Sequence, residues 1–219
     1  MSKTLIIGGN RGIGLELSKQ LIDRGDDVIT VSRSDSEDLG SLNCRVISGI
    51  DVSNQTDVDT LCSEIGNDNI SLLIHSAGIL TNENLDDLNI DRIRAQFETN
   101  TLGPLRVISG LRGNLKAGAK VGILSSRVGS LDDNGSGGMY GYRISKTAVN
   151  MVGVNLAHDL RQQQVALALL HPGLVATEMT GHRGIDPKDS ARGLIQRMDQ
   201  LTLETTGKFW HAEGEILPW

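Results

Sequence analysis

The sequence predicts an α/β fold with a doubly wound parallel sheet of about seven strands and helices on both faces. Two features of the 219 residues support this prediction. Short apolar runs alternate with amphipathic stretches, and the runs are rich in Val, Ile and Leu with little alternation, as in parallel strands covered on both faces. In addition, the first apolar run leads into a glycine-rich turn and then a helical pattern, which is a strand-turn-helix unit.

Each predicted element follows from a local pattern. Asn54 and Asp186 are predicted to begin helices, and Pro187 suits the first helical position. The last strand is expected at the edge of the sheet. The predicted strands are Lys3–Ile7, 27–32, 44–48, Ile70–His75, 120–125, 165–171 and 207–211, and the predicted helices are 12–25, 54–65, 89–113, 141–163 and 187–200.

Composition limits the class of protein. The chain fits one domain, residues 1–219, with room for a sizeable core. Its net charge of −6 argues against non-specific nucleic-acid binding. The first strand begins close to the N-terminus and no apolar run reaches about 18 residues, so we expect a cytoplasmic protein without a signal peptide or membrane contact. Cys44 and Cys62 lie outside any metal-ligand spacing, so no metal site is expected.

The glycine-rich turn after the first strand indicates a dinucleotide site. Three glycines in the spacing G-x-x-x-G-x-G allow a tight turn, a close approach to a pyrophosphate and close contact between helix and sheet. Because glycine makes up nearly an eighth of the chain, an ordinary strand-to-helix turn remains the alternative. The residues predicted to contact the cofactor here are Gly8, Asn10, Arg11, Gly12, Ile13 and Gly14.

The end of the second strand favours NADP over NAD. An NAD site would usually place an acidic side chain here for the ribose 2′-hydroxyl. This chain has Arg33 instead, and Arg11 supplies a second guanidinium. Two guanidinium groups on one ribose suit a 2′-phosphate, so NADPH is the predicted cofactor. Surface solubility is the alternative for either arginine alone, and Asp35 slightly weakens the NADP interpretation.

The next two strand ends supply further candidate contacts. Asp51 and Val52 follow the third strand, where the carboxylate could accept a hydrogen bond from the adenine amino group or serve in a turn or helix cap. Ala77 and Gly78 follow the fourth strand and are small enough for the backbone to approach the cofactor ribose. His75 precedes them and is interpreted as a structural histidine hydrogen-bonded to the backbone rather than a catalytic group.

Tyr142 and Lys146 form the candidate catalytic pair. Their i, i+4 spacing places a phenol and an ammonium on one helix face. A fixed positive charge lowers the pKa of a phenol, which can then exchange a proton near neutral pH. The pair follows the strand end Ser125-Ser126, at the sheet edge that the glycine turn already marks. Tyr140 has no lysine four residues later and is the weaker candidate.

These motifs resemble those of the short-chain dehydrogenase/reductase family, a Rossmann-type fold, over nearly the whole chain. Residues 134–143 and the ending Leu217-Pro218-Trp219 are most similar to the C-factor-like carbonyl reductases. Two departures are His75-Ser76 where the family has paired asparagines, and Ile7 where many members have threonine. By this resemblance the catalytic residues are Asn100, Ser126, Tyr142 and Lys146, and the nicotinamide contacts are Pro172, Gly173, Val175 and Thr177.

The resemblance implies NADPH-dependent reduction of an aldehyde or ketone by this Ser-Tyr-Lys-Asn tetrad. Tyr142 would donate the proton while Ser126 polarises the carbonyl. Lys146 would lower the tyrosine pKa and bind the ribose, and Asn100 would hold a water for proton resupply. The resemblance also implies a homodimer or homotetramer. Two alternatives stay open: an NAD-dependent alcohol dehydrogenase, and a dinucleotide-binding signalling or sensor protein of C-factor type.

Overall fold

A computed structural model of the chain describes residues 2–219. The strands are β1 (Lys3–Ile7), β2 (Val28–Val31), β3 (Arg45–Ile47), β4 (Ile70–His75), β5 (Leu115–Leu124), β6 (Ala166–His171) and β7 (Phe209–His211). The helices are α1 (Gly12–Asp23), α2 (Glu37–Gly40), α3 (Gln55–Ile65), α4 (Ile90–Phe97), α5 (Gly103–Gly110), α6 (Tyr140–Arg161) and α7 (Pro187–Gln200).

The seven described strands form one parallel sheet in the order β3-β2-β1-β4-β5-β6-β7. The predicted α/β class with a doubly wound Rossmann-type sheet is therefore confirmed. The strand order reverses between β1 and β4, where Ile7 and His75 lie side by side at the carboxyl ends of the two strands. Open sheets of this kind bind ligands in the crevice outside such a reversal point.

Two hydrophobic cores cover the two faces of the sheet. Leu5 and Ile7 on β1 belong to one core, which also contains buried side chains of α3, α5 and α6. Ile6, between them in the sequence, belongs to the other core with buried side chains of α1 and α7. This alternation is the strand period of two. Because both faces are covered, the apolar runs are nearly continuous, which is why the sequence shows them clearly.

Two predicted helix starts are confirmed. The Asn54 side chain accepts a hydrogen bond from the Thr56 N–H at 2.8 Å, and α3 begins at the next residue. Asp186 accepts from the Lys188 N–H at 2.8 Å, with Pro187 at the first position of α7. Both side chains satisfy N–H groups that have no partner within the helix.

The helix predicted over residues 89–113 is present from 90 to 110, but it is not a regular α-helix throughout. The chain forms α4, then a π-helical turn at Glu98–Leu102, and then α5. The Gly103 N–H donates to the Glu98 carbonyl five residues earlier, which is the π pattern. Pro104 has no N–H, so the Asn100 carbonyl lacks the donor that an α-helix would give it. The irregularity therefore falls at a predicted catalytic residue.

Two further elements differ from the sequence prediction. Strand β5 begins at Leu115, five residues before the predicted start. The early start was not predicted because Lys116, Ala117 and Gly118 are exposed, so this half of the strand lacks an apolar pattern. The short helix α2 was not predicted; Ser36 caps it by accepting from the Leu39 N–H. In the part of the chain that the structure describes, every helix is too short or too polar to cross a membrane.

Candidate active site

The turn between β1 and α1 leaves no room for a side chain at Gly8 or Gly14. Gly8 has a φ of 87° and donates to the Val31 carbonyl at 2.8 Å. A Cβ on Gly8 would lie 2.6 Å from the Ala77 nitrogen, and a Cβ on Gly14 would lie 2.0 Å from the Gly8 oxygen. No side chain caps the first turn of α1. A glycine cradle before free helix N–H groups fits a dinucleotide pyrophosphate.

A cleft of about 870 Å³ extends from this turn along the carboxyl ends of the strands. It brings together predicted site residues from six separate parts of the sequence, including both members of the candidate catalytic pair. The predicted site residues that line it are Gly8, Asn10, Arg11, Gly12, Ile13, Gly14, Arg33, Asp51, Val52, Ala77, Gly78, Tyr142, Lys146, Pro172 and Thr177.

Four predicted site residues do not line this cleft. Asn100 and Ser126 are buried beside residues that line it, as described below. Val175 is 3% exposed and pairs with Ile185 in an isolated β-bridge. A Cβ on Gly173 would lie toward Ile185 and His211. The nicotinamide contacts that the resemblance implies at Gly173 and Val175 stay predictions.

Both arginines of the predicted 2′-phosphate site line the cleft, but each pairs with a carboxylate. Arg11 forms an ion pair with Glu178, on the short turn after Thr177. Arg33 lies 3.8 Å from a carboxylate oxygen of Asp51. Both guanidinium groups are about two-thirds exposed. Exposed pairs of this kind are weak and exchange readily for a phosphate, which offers a charge-assisted fork.

Asp51 has a turn role as well as a place on the cleft. Its carboxylate accepts hydrogen bonds from the Ser53 N–H at 2.9 Å and from the Ser53 hydroxyl at 2.6 Å. Partial burial acts to raise the pKa of the Asp51 carboxyl, but the Ser53 hydrogen bonds and the charge of Arg33 outweigh it and lower that pKa. Of the two alternatives for Asp51, the turn role is directly visible.

Tyr142 and Lys146 lie together at the inner end of the cleft. The Lys146 Nζ atom is 5.6 Å from the centre of the Tyr142 ring and donates to the Leu124 carbonyl at 2.9 Å. Burial lowers the pKa of Lys146 to about 8. Burial also raises the pKa of Tyr142 to about 12, against the opposing effect of a hydrogen bond with Ser126.

The predicted lowering of the Tyr142 pKa by Lys146 is therefore wrong for this structure. Burial therefore keeps the Tyr142 hydroxyl protonated at neutral pH, while the Lys146 ammonium titrates near pH 8.

Ser126, rather than Ser125, is the serine beside the phenol. Ser125 donates its hydroxyl hydrogen to the Asn150 side chain at 2.6 Å. Ser126 begins a 3₁₀ turn, Arg127–Gly129, where its hydroxyl oxygen accepts from the Val128 N–H at 3.4 Å and its side chain is hydrogen-bonded with Tyr142. This arrangement agrees with the serine that the resemblance selected.

Both ends of the Asn100 side-chain amide are hydrogen-bonded within the protein. The amide oxygen accepts from the Ile79 N–H at 2.8 Å, while the amide nitrogen donates to the Ile79 carbonyl and the Ser145 hydroxyl. Gly78 gives it room, since a Cβ there would lie 3.2 Å from the amide oxygen. Asn100 thus ties the segment after β4 to α6, and only its carbonyl, which lacks an α-helical donor because of Pro104, is suited to a water.

His75 is fully buried, as expected of a structural histidine. Its Nε2 atom has no hydrogen-bond partner within residues 2–219, so the predicted backbone bond does not involve this nitrogen. Burial and the charge of Lys146 lower the pKa of His75 to about 3. The imidazole is therefore neutral at physiological pH and has no charge to contribute to the site.

Several residues of the cleft were not predicted from the sequence. Glu178 is the partner of Arg11, although 167 residues separate them in the chain. Ile79, Leu80 and Thr99 also line the wall beside Tyr142. The only sequence signal for Ile79 and Leu80 was their position directly after Ala77-Gly78. No sequence pattern indicated that Glu178 would pair with Arg11.

The sheet order, the glycine cradle and the Tyr142–Lys146 pair at one cleft define a dinucleotide-binding α/β oxidoreductase. The family profile described as short chain dehydrogenase matches residues 2–188. The chain therefore belongs to the short-chain dehydrogenase/reductase family, and its cofactor is a nicotinamide dinucleotide.

Individual relatives agree with this assignment. The 1-hydroxy-2-glutathionyl-2-methyl-3-butene dehydrogenase of Rhodococcus sp. (strain AD45) is 47% identical over 226 residues, covering all of both chains. The C-signal protein of Myxococcus xanthus is 39% identical over 154 residues, which is 68% of this chain and 93% of that protein. A carbonyl reductase from Pseudomonas aeruginosa PAO1 in complex with NADP has a TM-score of 0.88 at 29% identity, covering all of both chains. The resemblance to C-factor-like carbonyl reductases is confirmed.

Proposed function

We propose that the protein is an NADPH-dependent carbonyl reductase that converts an aldehyde or ketone to an alcohol. The observation that carries this proposal is that Tyr142 and Lys146 line the same cleft as the glycine cradle. A protein that only binds the dinucleotide needs the cradle but has no use for a hydroxyl pair and an ammonium at the far end of the cleft. Ser126, Tyr142, Lys146 and Asn100 are the proposed catalytic residues.

The chemistry divides between the cofactor and these side chains. When bound, NADPH supplies the hydride to the carbonyl carbon. Tyr142 donates its phenolic proton to the carbonyl oxygen, and its raised pKa keeps that proton available. Ser126 holds the same oxygen in place through its hydroxyl group. The Lys146 ammonium stabilises the phenolate that remains, and the Asn100 carbonyl holds the water that resupplies the proton.

The preference for NADP is supported by charge. Arg11 and Arg33 both line the cleft near the start of α1 and the end of β2, and the acidic residue expected of an NAD site is not at position 33. The NADP complex of the P. aeruginosa relative agrees with this choice. Gly173 and Val175 are proposed to contact the nicotinamide through their backbone groups, since the Val175 side chain is buried and Gly173 has none.

The remaining expectations are also proposals. We propose that residues 1–219 act as one domain in the cytoplasm and that the protein is a homodimer or homotetramer. Leu105 on α5 and Ile144 and Met151 on α6 are exposed apolar side chains, which supports association. The molar mass measured by light scattering during size-exclusion chromatography tests this proposal; a monomer would contradict it.

The two tyrosines provide a matched test of the function. Purified protein is mixed with NADPH and a panel of aldehydes and ketones, and NADPH absorbance is followed. Tyr142→Phe is expected to lose turnover by a factor on the order of 10²–10⁴ while its NADPH affinity, measured by fluorescence, stays unchanged. Tyr140→Phe, two residues away on the same helix, is expected to retain turnover. Equal activity of the Tyr142→Phe variant and the unsubstituted protein would refute the assignment.

Alcohol oxidation is the second candidate. The Rhodococcus relative, 47% identical over its full length, is named as a dehydrogenase of a glutathione-conjugated alcohol. The same panel is therefore run in reverse, with NADP⁺ or NAD⁺ and with alcohols that include a glutathionyl alcohol. Faster oxidation of that compound than reduction of any carbonyl would favour the second candidate. Dinucleotide binding without turnover in either direction would favour the sensor alternative.

A further inference from the structure

Arg143 directly follows Tyr142 on α6, and its guanidinium group is bonded to backbone and hydroxyl oxygens alone. Nη1 donates to the Val128 carbonyl at 3.0 Å, Nε donates to the Gly137 carbonyl at 3.1 Å, and Nη2 donates to the Ser136 hydroxyl at 2.7 Å. Within residues 2–219, no carboxylate forms an ion pair with it. A charged side chain beside the catalytic tyrosine is thus used entirely to hold another segment of the chain.

The acceptors lie at the two ends of one loop. We call residues 130–138 the 130–138 loop; it connects the turn after Ser126 to the start of α6. Val128 lies just before this loop, and Ser136 and Gly137 lie near its end. The single guanidinium group of Arg143 therefore hydrogen-bonds to both ends of the loop and holds them against α6; we call this set of three bonds the clip. An arginine can make all three bonds because its donors are fixed in one plane.

The loop needs such a restraint. Gly137, Gly138 and Met139 have φ values of 62°, 69° and 51°, so three consecutive residues are in the left-handed region directly before α6. Glycines lose more backbone freedom on ordering than other residues, and Met139 is disfavoured in this region. Three hydrogen bonds from a charged donor offset part of this cost.

The same contacts reach Ser126. Both backbone groups of Val128 are hydrogen-bonded, because its N–H donates to the Ser126 hydroxyl at 3.4 Å and its carbonyl accepts from Arg143. Thr147, one turn further along α6, donates to the Gly129 carbonyl at 2.8 Å. A Cβ on Gly129 would lie 2.7 Å from the Lys146 carbonyl carbon, so this turn is packed tightly on the catalytic helix.

We propose that Arg143 is a positioning residue for the reduction: it fixes the Ser126 hydroxyl and the 130–138 loop relative to Tyr142. It does not touch the reacting atoms. This inference rests on the proposed function for its kinetic consequence, but the clip itself is a property of the folded chain and can be measured without any substrate.

The test compares Arg143→Ala and Arg143→Lys with Arg161→Ala, whose exposed arginine ends the same helix. Removing the clip is expected to lower kcat for carbonyl reduction about 10- to 100-fold, since a small misplacement of a catalytic group has that effect. NADPH affinity is expected to stay unchanged. Added guanidinium is expected to restore part of the lost kcat in Arg143→Ala. Lysine cannot reproduce the planar fork, so the kcat of Arg143→Lys is expected to lie between the kcat values of Arg143→Ala and Arg161→Ala.

Hydrogen exchange of residues 130–138 supplies the substrate-free readout. Exchange is expected to accelerate in both Arg143 variants and to stay unchanged in Arg161→Ala. Unchanged kcat and unchanged exchange in Arg143→Ala would overturn the inference, as would a loss of kcat explained by weaker NADPH binding. If Arg143→Ala does not fold, Arg143→Lys takes its place. If the unsubstituted protein shows no turnover, the proposed function fails, and loop exchange alone decides whether the clip exists.

Discussion

Lys146 donates a hydrogen bond to the Leu124 carbonyl at 2.9 Å, which ties the ammonium to the carboxyl end of β5. The lysine is 4% exposed and has no carboxylate partner in the described part of the chain. A buried ammonium that is satisfied by a neutral carbonyl is only moderately stable, and burial lowers the pKa of Lys146 to about 8. The charge of the Lys146 ammonium is therefore lost progressively as the pH rises through about 8.

The first prediction concerns this pH dependence. Tyr142, with its pKa raised to about 12, stays protonated at lower pH, so the loss of the Lys146 charge controls the activity. We expect kcat/KM for NADPH to be level below about pH 8 and to fall above it, by about tenfold per pH unit as one ionisation requires. A profile that stays level well above this pH would show that Lys146 does not titrate there.

The second prediction concerns cofactor choice. Arg33→Ala is expected to weaken NADPH binding by about 10- to 100-fold, because a charge-assisted bond to the 2′-phosphate is lost, and to leave NADH binding nearly unchanged. Fluorescence titration with each dinucleotide measures both. Arg45→Ala is the control, since Arg45 pairs with Glu64 and Asp68 away from the cleft. An equal loss of affinity for both dinucleotides would exclude a role for Arg33 in recognising the 2′-phosphate.

Much of the fold was predictable because it depends on local patterns. Strands β1 and β4 are covered on both faces, so their apolar runs are unbroken and their boundaries match the prediction. The caps at Asn54 and Asp186 are also local, because each side chain bonds an N–H two residues later. The π-helical turn before Pro104 was not predicted, because the amphipathic helical pattern continues on both sides of it.

The rest of the site depends on contacts between distant segments. The pairing of Arg11 with Glu178 and the inward turn of Val175 require the loop after β6 to fold back. The pKa of Tyr142 likewise depends on burial, which the spacing of a tyrosine and a lysine does not reveal. Residue type and spacing therefore identify the candidate pair Tyr142 and Lys146, while the pKa values of the pair depend on packing.

The third prediction concerns Gly141, which packs against a buried polar pair. Gln96 donates to the Glu83 carboxylate at 3.0 Å, and both side chains are completely buried. A Cβ on Gly141 would lie 2.2 Å from the Gln96 nitrogen and 2.9 Å from a Glu83 oxygen. Gly141→Ala is expected to lower the free energy of unfolding by about 1–3 kcal/mol and to reduce turnover, because it displaces the start of α6.

Urea unfolding and steady-state kinetics of the same preparation measure both effects. Gly40→Ala is the control, since nothing lies within 4 Å of a Cβ at that position. Similar stability of the two alanine variants would show that α6 can shift at no cost.

The last prediction concerns the buried imidazole of His75. Its pKa is lowered from about 6.5 to about 3, chiefly by burial. Between these values the unfolded chain binds a proton that the folded protein excludes, so the stabilisation present above about pH 6.5 is lost progressively as the pH falls. In His75→Asn, the free energy of unfolding should decrease less steeply over this range, by up to about 1.4 kcal/mol per pH unit.

Urea unfolding at a series of pH values from neutral toward acid tests this expectation. His158→Asn is the matched control, because His158 is exposed on α6 and its replacement should leave the slope unchanged. His171, whose pKa burial also lowers to about 3, keeps some acid sensitivity in both variants. If the His75→Asn slope equals that of the unsubstituted protein, His75 takes up its proton in the folded state, and the imidazole near Lys146 is more accessible than its burial implies.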